Sequence, residues 1–285
     1  MPAQTPAWFE PKFKKGAIHR LQSEGYILRG TAMEATTVDG STVTWRRAGA
    51  GNASVLQPGL SRSPVMNAGR DSVTATFVDY EANDFVKKAD LNKMSENEQQ
   101  IVQQTIGMAL GRQFDKVQLG ALDIDTDVEL LDFSAAALDP THIMTVQGKI
   151  FGVGAGNYEY FCALPKEGMQ QLELYREFAN SDWVGDQYPL LKGLGARKWR
   201  NITFIPMPDG FLAVPGAGAA DGYMWVKTAV GFEWNQQLSI RADWLALEKG
   251  WFIAGDYACC AKVILPEAVK RMRVKTNAVL ARPNP

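Results

Sequence analysis

Thr42-Val43-Thr44-Trp45, then a Gly-, Ser- and Pro-rich stretch from Arg46 to Asp71, then Ser72-Val73-Thr74-Ala75-Thr76-Phe77-Val78-Asp79-Tyr80: this passage decides the fold. Both flanking runs are rich in β-branched and aromatic residues. Val73, Ala75 and Phe77 alternate with Ser72, Thr74 and Thr76, the period of a half-buried strand. Between the runs lie Gly49, Gly51, Asn52, Pro58-Gly59, Pro64, Asn67 and Gly69, dense turn chemistry with no periodicity. A loop this long does not belong inside a compact unit. Ordering it costs about 1–2 kcal/mol per residue in backbone entropy. Its apolar side chains are few: Val55, Leu56, Leu60, Val65 and Met66. Residues 36–80 therefore read as a hairpin arm that orders on another surface, and a second copy of the chain is the surface the charges favour.

Between Gly40 and Arg70 the charged residues are Arg46, Arg47, Arg62 and Arg70, with no acid. The segment that follows is acidic, with Asp71, Asp79, Glu81, Asp84, Asp90, Glu96 and Glu98 against Lys87, Lys88 and Lys93. Complementary charge on repeated copies fixes register. The expected intersubunit contacts are Trp45, Arg46, Arg47, Arg62 and Arg70 on the hairpin, with Asp84, Glu96 and Glu98 opposite.

Ser95 and Glu98 match a capping box, in which each side chain bonds the other's backbone N–H. The helix expected from there runs over 96–121. Val102, Ile106, Leu110, Phe114, Val117 and Ala121 make one apolar stripe along it. A second helix is expected from Asp139-Pro140 to Ile150, with proline at its first position. A third is expected from Pro165 to Phe178, after a strand over 158–164. Further strands are read at 201–205, 223–230, 237–244 and 251–265. Helices and strands are segregated along the chain, so the fold class is α+β. Residues 1–35 read as a basic arm, in which Lys12, Lys14, Lys15, Arg20 and Arg29 outnumber the acids and Trp8, Phe9 and Phe13 favour docking over disorder.

A chain of 285 residues can bury a sizeable core. Its net charge of −1 gives no global pull toward nucleic acid or an anionic membrane. The first residues lack the apolar core of a signal peptide, and Phe211–Ala220 is too short and too broken to span a bilayer. Cys162, Cys259 and Cys260 read as buried reduced thiols of a cytoplasmic product, since neighbours on a strand point to opposite faces.

No constellation carries catalysis. Gly152-Val153-Gly154-Ala155-Gly156 follows a helix and precedes a strand, the reverse of a dinucleotide loop, so it reads as a turn. His19 and His142 have no nucleophile elbow around them and take surface or structural roles. Asp123, Asp125 and Asp127 begin like a calcium loop but lack its glycine and distal glutamate. A solvated turn is the first reading there, and an acidic patch meeting a basic neighbour the second. No catalytic, cofactor or metal site is expected. The runner-up of a different class, a hydrolase or transferase with its site in 150–245, finds little support in two histidines and no nucleotide loop.

The order of parts resembles the major capsid protein of tailed bacteriophages, with the Hong Kong 97-type fold. The resemblance rests on the hairpin, the capped helix and the strand Tyr158-Glu159-Tyr160-Phe161-Cys162-Ala163-Leu164 entering a Pro165 helix. It rests also on three late segments: Thr228–Gly231, Leu238–Arg241 and Trp251–Asp256. Ile264–Val269 is similar to the family's closing strand. It implies an N-terminal arm (1–35), an extended loop hairpin (36–80), a peripheral domain with a spine helix (81–155), an axial domain (156–245) and a return to the peripheral domain (246–285). It further implies self-assembly into pentamers and hexamers and an icosahedral shell around double-stranded DNA held by non-specific contact. Scaffolding, portal and decoration proteins are implied partners, the location is the virion after assembly in the host cytoplasm, and no membrane is involved. An encapsulin-type compartment around a cargo enzyme is the alternative on the same fold.

Overall fold

The computed structural model describes residues 25–35, 37–55, 65–66, 68–88, 98–155, 158–175, 178 and 197–280, with backbone alone at 98–100, 197 and 236–237. Ser95, His19, Arg62, Glu96 and residues 56–64 and 181–195 lie outside the described residues. In chain order the elements are β1 (Thr37–Asp39), β2 (Thr42–Ala48), β3 (Arg70–Thr76), β4 (Val78–Lys87), α1 (Glu98–Ile124), β5 (Glu129–Asp132), α2 (Pro140–Gly152), β6 (Tyr160–Pro165), α3 (Lys166–Glu173), β7 (Arg197–Trp199), β8 (Ile202–Met207), β9 (Ala219–Val226), β10 (Val230–Leu245), β11 (Gly250–Val263) and β12 (Val269–Lys275).

The two quoted runs pair as their alternation requires. β2 and β3 are antiparallel, from Thr42 opposite Thr76 to Ala48 opposite Arg70. The pairing continues one step further, where Gly49 N–H donates to Gly69 O at 2.6 Å. Val43 and Trp45 face inward opposite Ala75 and Val73. The second run is one strand by sequence and two in the molecule. β3 stops at Thr76, Phe77 N–H donates to Ser41 O (3.0 Å), and β4 joins a different sheet. The period-two pattern passes through Phe77 unbroken, so it does not mark this change of partner.

The described residues fall into two compact units. One gathers Gly25, Asp79–Gln113 and Gln236–Ala258; the other gathers Tyr26–Val78, Phe114–Asn235 and the chain from Cys259 onward. In the first, β10, β11 and β4 form a sheet in that order. Ile106 and Leu110 of α1 press on Gly255 of β11, where a Cβ would sit 2.4 Å from Ile106 Cγ2 and 2.9 Å from Leu110 Cδ1. No side chain fits there. Tyr257 OH donates to Leu110 O at 3.2 Å.

α1 has 27 residues and is about 40 Å long at 1.5 Å per residue. Ile106, Leu110 and Phe114 are buried as the stripe requires. Beyond Phe114 the buried face continues through Gln118 and Leu122, while Val117 and Ala121 are only half-buried. An apolar pattern steps around Gln118; in the molecule it is buried with its amide nitrogen bonded to Thr31 Oγ1.

In the second unit a six-stranded mixed sheet has the order β5-β12-β9-β6-β8-β7. β6 is parallel to β8, β12 is parallel to β5, and β9 is antiparallel to both β6 and β12. All six residues of β6 are buried, the pattern of a strand covered on both faces. α2 begins as expected. Asp139 accepts from Thr141 N–H (2.9 Å) and His142 Nδ1 accepts from Asp139 N–H (3.2 Å), which gives His142 a structural role. α3 follows Pro165 directly but ends at Glu173, five residues before the expected Phe178.

Four strands escape the sequence reading: the three-residue β1 and β7, and, more consequentially, β5 and β12. The expected closing strand at 264–269 is largely a bend with a 3-10 turn, Pro266–Ala268, and the closing strand is β12. The acidic segment after α1 holds β5, parallel to β12. Charge masks both: β12 reads Val-Lys-Arg-Met-Arg-Val-Lys, and β5 is four residues bounded by acids.

Candidate functional site

The hairpin has a fixed root, and most of its described residues beyond the root are exposed. At the root, Trp45 is 1% exposed and packs with Val43, Cys260 and Ile264, with Val73, Ala75 and Phe77 around them. Its indole lies on Gly231, where a Cβ would stand 2.4 Å from Trp45 Cε2. Burying a large side chain here is worth roughly 1.5–3 kcal/mol. Trp45 is therefore a fold residue of its own chain, which corrects its place among the expected intersubunit contacts. Its place beside the hairpin arginines put it among the expected contacts, and only the tertiary partners Cys260 and Ile264, more than 200 positions away, show otherwise.

The arginines divide. Arg47 is engaged at home: it pairs with Asp71 at 2.6 Å and donates through Nη1 to Ile264 O at 3.2 Å. The Arg47 bond holds the Asp71 carboxyl below its ordinary range. Arg46 and Arg70 are exposed, as are Val55, Val65 and Met66 further out. Asp84 is exposed and accepts from Phe85 N–H (2.7 Å). Arg62 and Glu96 fall outside the described residues, as does the Glu98 side chain.

The described end of the N-terminal arm, from residue 25 to 35, is stitched down. Asp115 of α1 is fully buried and accepts from Ile27 N–H (3.2 Å) and Leu28 N–H (3.0 Å). Gln118 Nε2 donates to Thr31 Oγ1 (2.7 Å), and Trp225 Nε1 donates to Thr31 O (3.0 Å). Met33 pairs with Gly231, and Ala35 N–H donates to Glu233 (2.7 Å). Tyr26, Phe114, Phe232 and Trp234 form an aromatic cluster beside this segment. Both helix residues are polar, so an apolar stripe passes over them.

Burial pushes the Asp115 carboxyl up, and the Leu28 and Ile27 N–H bonds pull it back in part. The native value stands above the unfolded one. At neutral pH both states are ionised, and the native state carries the burden of a buried charge. As pH falls through the raised native value, the native state takes the proton first and the burden is relieved. Wild type should therefore gain stability relative to Asp115→Asn between pH 7 and about 4. Urea midpoints of the two proteins across that range check this, and a pH-independent difference contradicts it.

Across the sheet, Asp221 of β9 is 0% exposed and bonds Arg271 Nη2 at 2.6 Å and Arg273 Nε at 2.9 Å, both from β12. Arg271 also reaches Asp123 at 2.8 Å, which accepts from Tyr223 OH at 2.9 Å. Burial, then the bond to Asp123, raises the Tyr223 hydroxyl. Glu129 bonds Lys149 and Lys270, which hold its carboxyl below the ordinary range. Asp123 and Glu129 thus meet basic neighbours within their own chain, the second of the two sequence readings, while Asp125 accepts from Asp127 N–H (3.0 Å) in an exposed turn, the first reading.

Cys162, Cys259 and Cys260 are buried thiols, and burial raises the Cys260 thiol to about 11. Among the described residues no helix is long and apolar enough to cross a membrane, and no group of three His, Cys, Asp or Glu is placed to hold a metal.

The described geometry belongs to a scaffold: a rooted hairpin, a 40 Å-class helix and a stitched N-terminal segment. The family model described as phage capsid protein matches residues 5–276. No curated protein sequence matches the chain. Among solved structures, the capsid of the cyanophage P-SCSP1u is similar at 15% identity and TM-score 0.70, over 94% of each chain. The capsid of Ralstonia phage GP4 is similar at 12% identity and TM-score 0.67, over 99% of this chain and 100% of that one. The head structure of Helicobacter pylori bacteriophage KHP40 is similar at 13% identity and TM-score 0.65, over 87% and 88%. At these identities the structural likeness is one of fold, and the family match carries the assignment. The chain belongs to the phage capsid protein family and has the Hong Kong 97-type fold of a tailed-phage major capsid protein.

Proposed function

We propose that the chain assembles as pentamers and hexamers into an icosahedral head, with the β2–β3 hairpin as the strap each copy lays on its neighbour. The observation that carries this is the division of the hairpin within a phage capsid family member. Its root is locked into its own subunit by Trp45, while Arg46, Arg70, Val55, Val65 and Met66 stand exposed beyond it. Contacts between copies supply the burial that the outer hairpin lacks alone; obligate interfaces bury more than about 2,000 Å². The role is structural, without catalysis. Packaged double-stranded DNA meets the inner wall by non-specific contact, and scaffolding, portal and decoration proteins are further partners. Assembly takes place in the host cytoplasm and the product resides in the virion. The peripheral domain is assigned to 81–155 and 246–285, and the axial domain to 156–245. The family match favours a phage head over an encapsulin-type compartment.

Electron microscopy and light scattering of the purified chain, alone and with a scaffold, test the reading. Closed particles, empty or filled with DNA, are the expected result. A stable monomer under every condition contradicts it, and particles holding a co-purified enzyme favour the compartment.

A further inference from the structure

Two surfaces at opposite ends of the six-stranded sheet complement one another. β6 and β8 run the same way, with Tyr160 beside Ile202 at one end and Pro165 beside Met207 at the other. Five steps at about 3.3 Å each separate the ends by roughly 17 Å.

At the Tyr160 end α2 terminates in an apolar knob. Phe151 is 62% exposed, and Val153 and Tyr158 are also exposed. This end is tied to the strand starts, since Asn201 Nδ2 donates to Tyr158 O (2.8 Å) and Gln147 Nε2 to Arg200 O (3.1 Å). Lys198, Arg200 and Lys227 are exposed around it, with Glu159 held by Lys198. Basic charge is in excess.

At the Pro165 end there is a groove of about 240 Å³ lined by Pro165, Met207, Leu212, Val214 and Ala219. Val214 is 68% exposed. Glu167 and Asp209 stand on its rim and share Lys166, so acid is in excess. A cavity of about 150 Å³ holds a benzene ring, so this groove has room for a phenyl side chain. An apolar groove rimmed by charge is a surface on which an apolar side chain of another molecule can seat.

We propose that these are the two halves of one head-to-tail contact: the Phe151 knob of one copy seats in the Met207–Val214 groove of the next. The proposal rests on the reading of the chain as a shell subunit and names a contact within its rings. The halves differ and lie at opposite ends of one sheet, so the contact is heterologous, the type that generates a ring when its rotation closes. The basic knob end meets the acidic groove rim, which orients the approach.

The test uses the full chain with Phe151→Cys and Val214→Cys and a short bis-maleimide. The native thiols are buried and do not compete. In assembled particles each single variant should stay monomeric on a denaturing gel. The two mixed should give covalent dimers, and the double variant a ladder up to closed rings. Crosslinking of Phe151→Cys with itself, or no ladder from the double variant in formed particles, overturns the contact while the shell reading stands. Absence of particles from wild type overturns both. Independently, Phe151→Asp should raise the subunit concentration needed for particles by about tenfold or more and leave the melting temperature unchanged; particles at the wild-type concentration overturn the contact.

Discussion

Asp221→Ala is expected to destabilise the subunit by about 3–5 kcal/mol, the range for removing one member of a buried ion pair. Asp221 is 0% exposed and is the shared partner of Arg271 and Arg273. Alanine leaves two guanidinium groups between β9 and β12 without their carboxylate. Both arginines retain some exposure, so water reaches them and the lower part of the range applies. A fall in melting temperature of about 6–12 °C follows for a unit of this size. Asp221→Asn keeps an acceptor and should fall between alanine and wild type. Circular dichroism melts of the three proteins decide it; an alanine variant within about 1 kcal/mol of wild type would show the network to be screened by solvent. The exposed Arg47–Asp71 pair is the contrast, and Asp71→Ala should change stability little.

What the amino-acid order revealed and what it hid divide along a physical line. The hairpin, the long helix and α2 were legible because local rules govern them: period-two alternation at Val73-Ala75-Phe77, steps of three and four from Ile106, and Asp139-Pro140 as cap and first position. β5 and β12 were hidden because their charged residues are satisfied by one another across the sheet, which no local pattern records. Lys270 and Glu129, or Arg273 and Asp221, become neighbours only once the strands pair. Asp115 and Gln118 escaped for the same reason: each is buried to hold backbone or hydroxyl groups of residues 27–31. Of the expected contact residues, Trp45 proved to be core, Arg47 is engaged within its own chain, and Arg46, Arg70 and Asp84 are exposed. Their exposure is a tertiary fact that the arrangement of charges alone does not determine.

Shortening the hairpin should separate folding from assembly. Gly49 and Gly69 form the last hydrogen-bonded pair, so replacing Ala50–Ala68 with Asn-Gly closes the ladder by a two-residue turn suited to antiparallel strands. Val43, Trp45 and the Arg47–Asp71 pair all lie below the cut, so the root keeps its packing. The subunit should melt as wild type does, within about 1 kcal/mol of stability. The strap is gone, and with it the contacts that order the outer hairpin. Electron microscopy of this variant beside wild type is the most direct measurement of the central claim. The account predicts closed particles from wild type and none from the folded, shortened variant; closed particles of normal size from the shortened variant would contradict it.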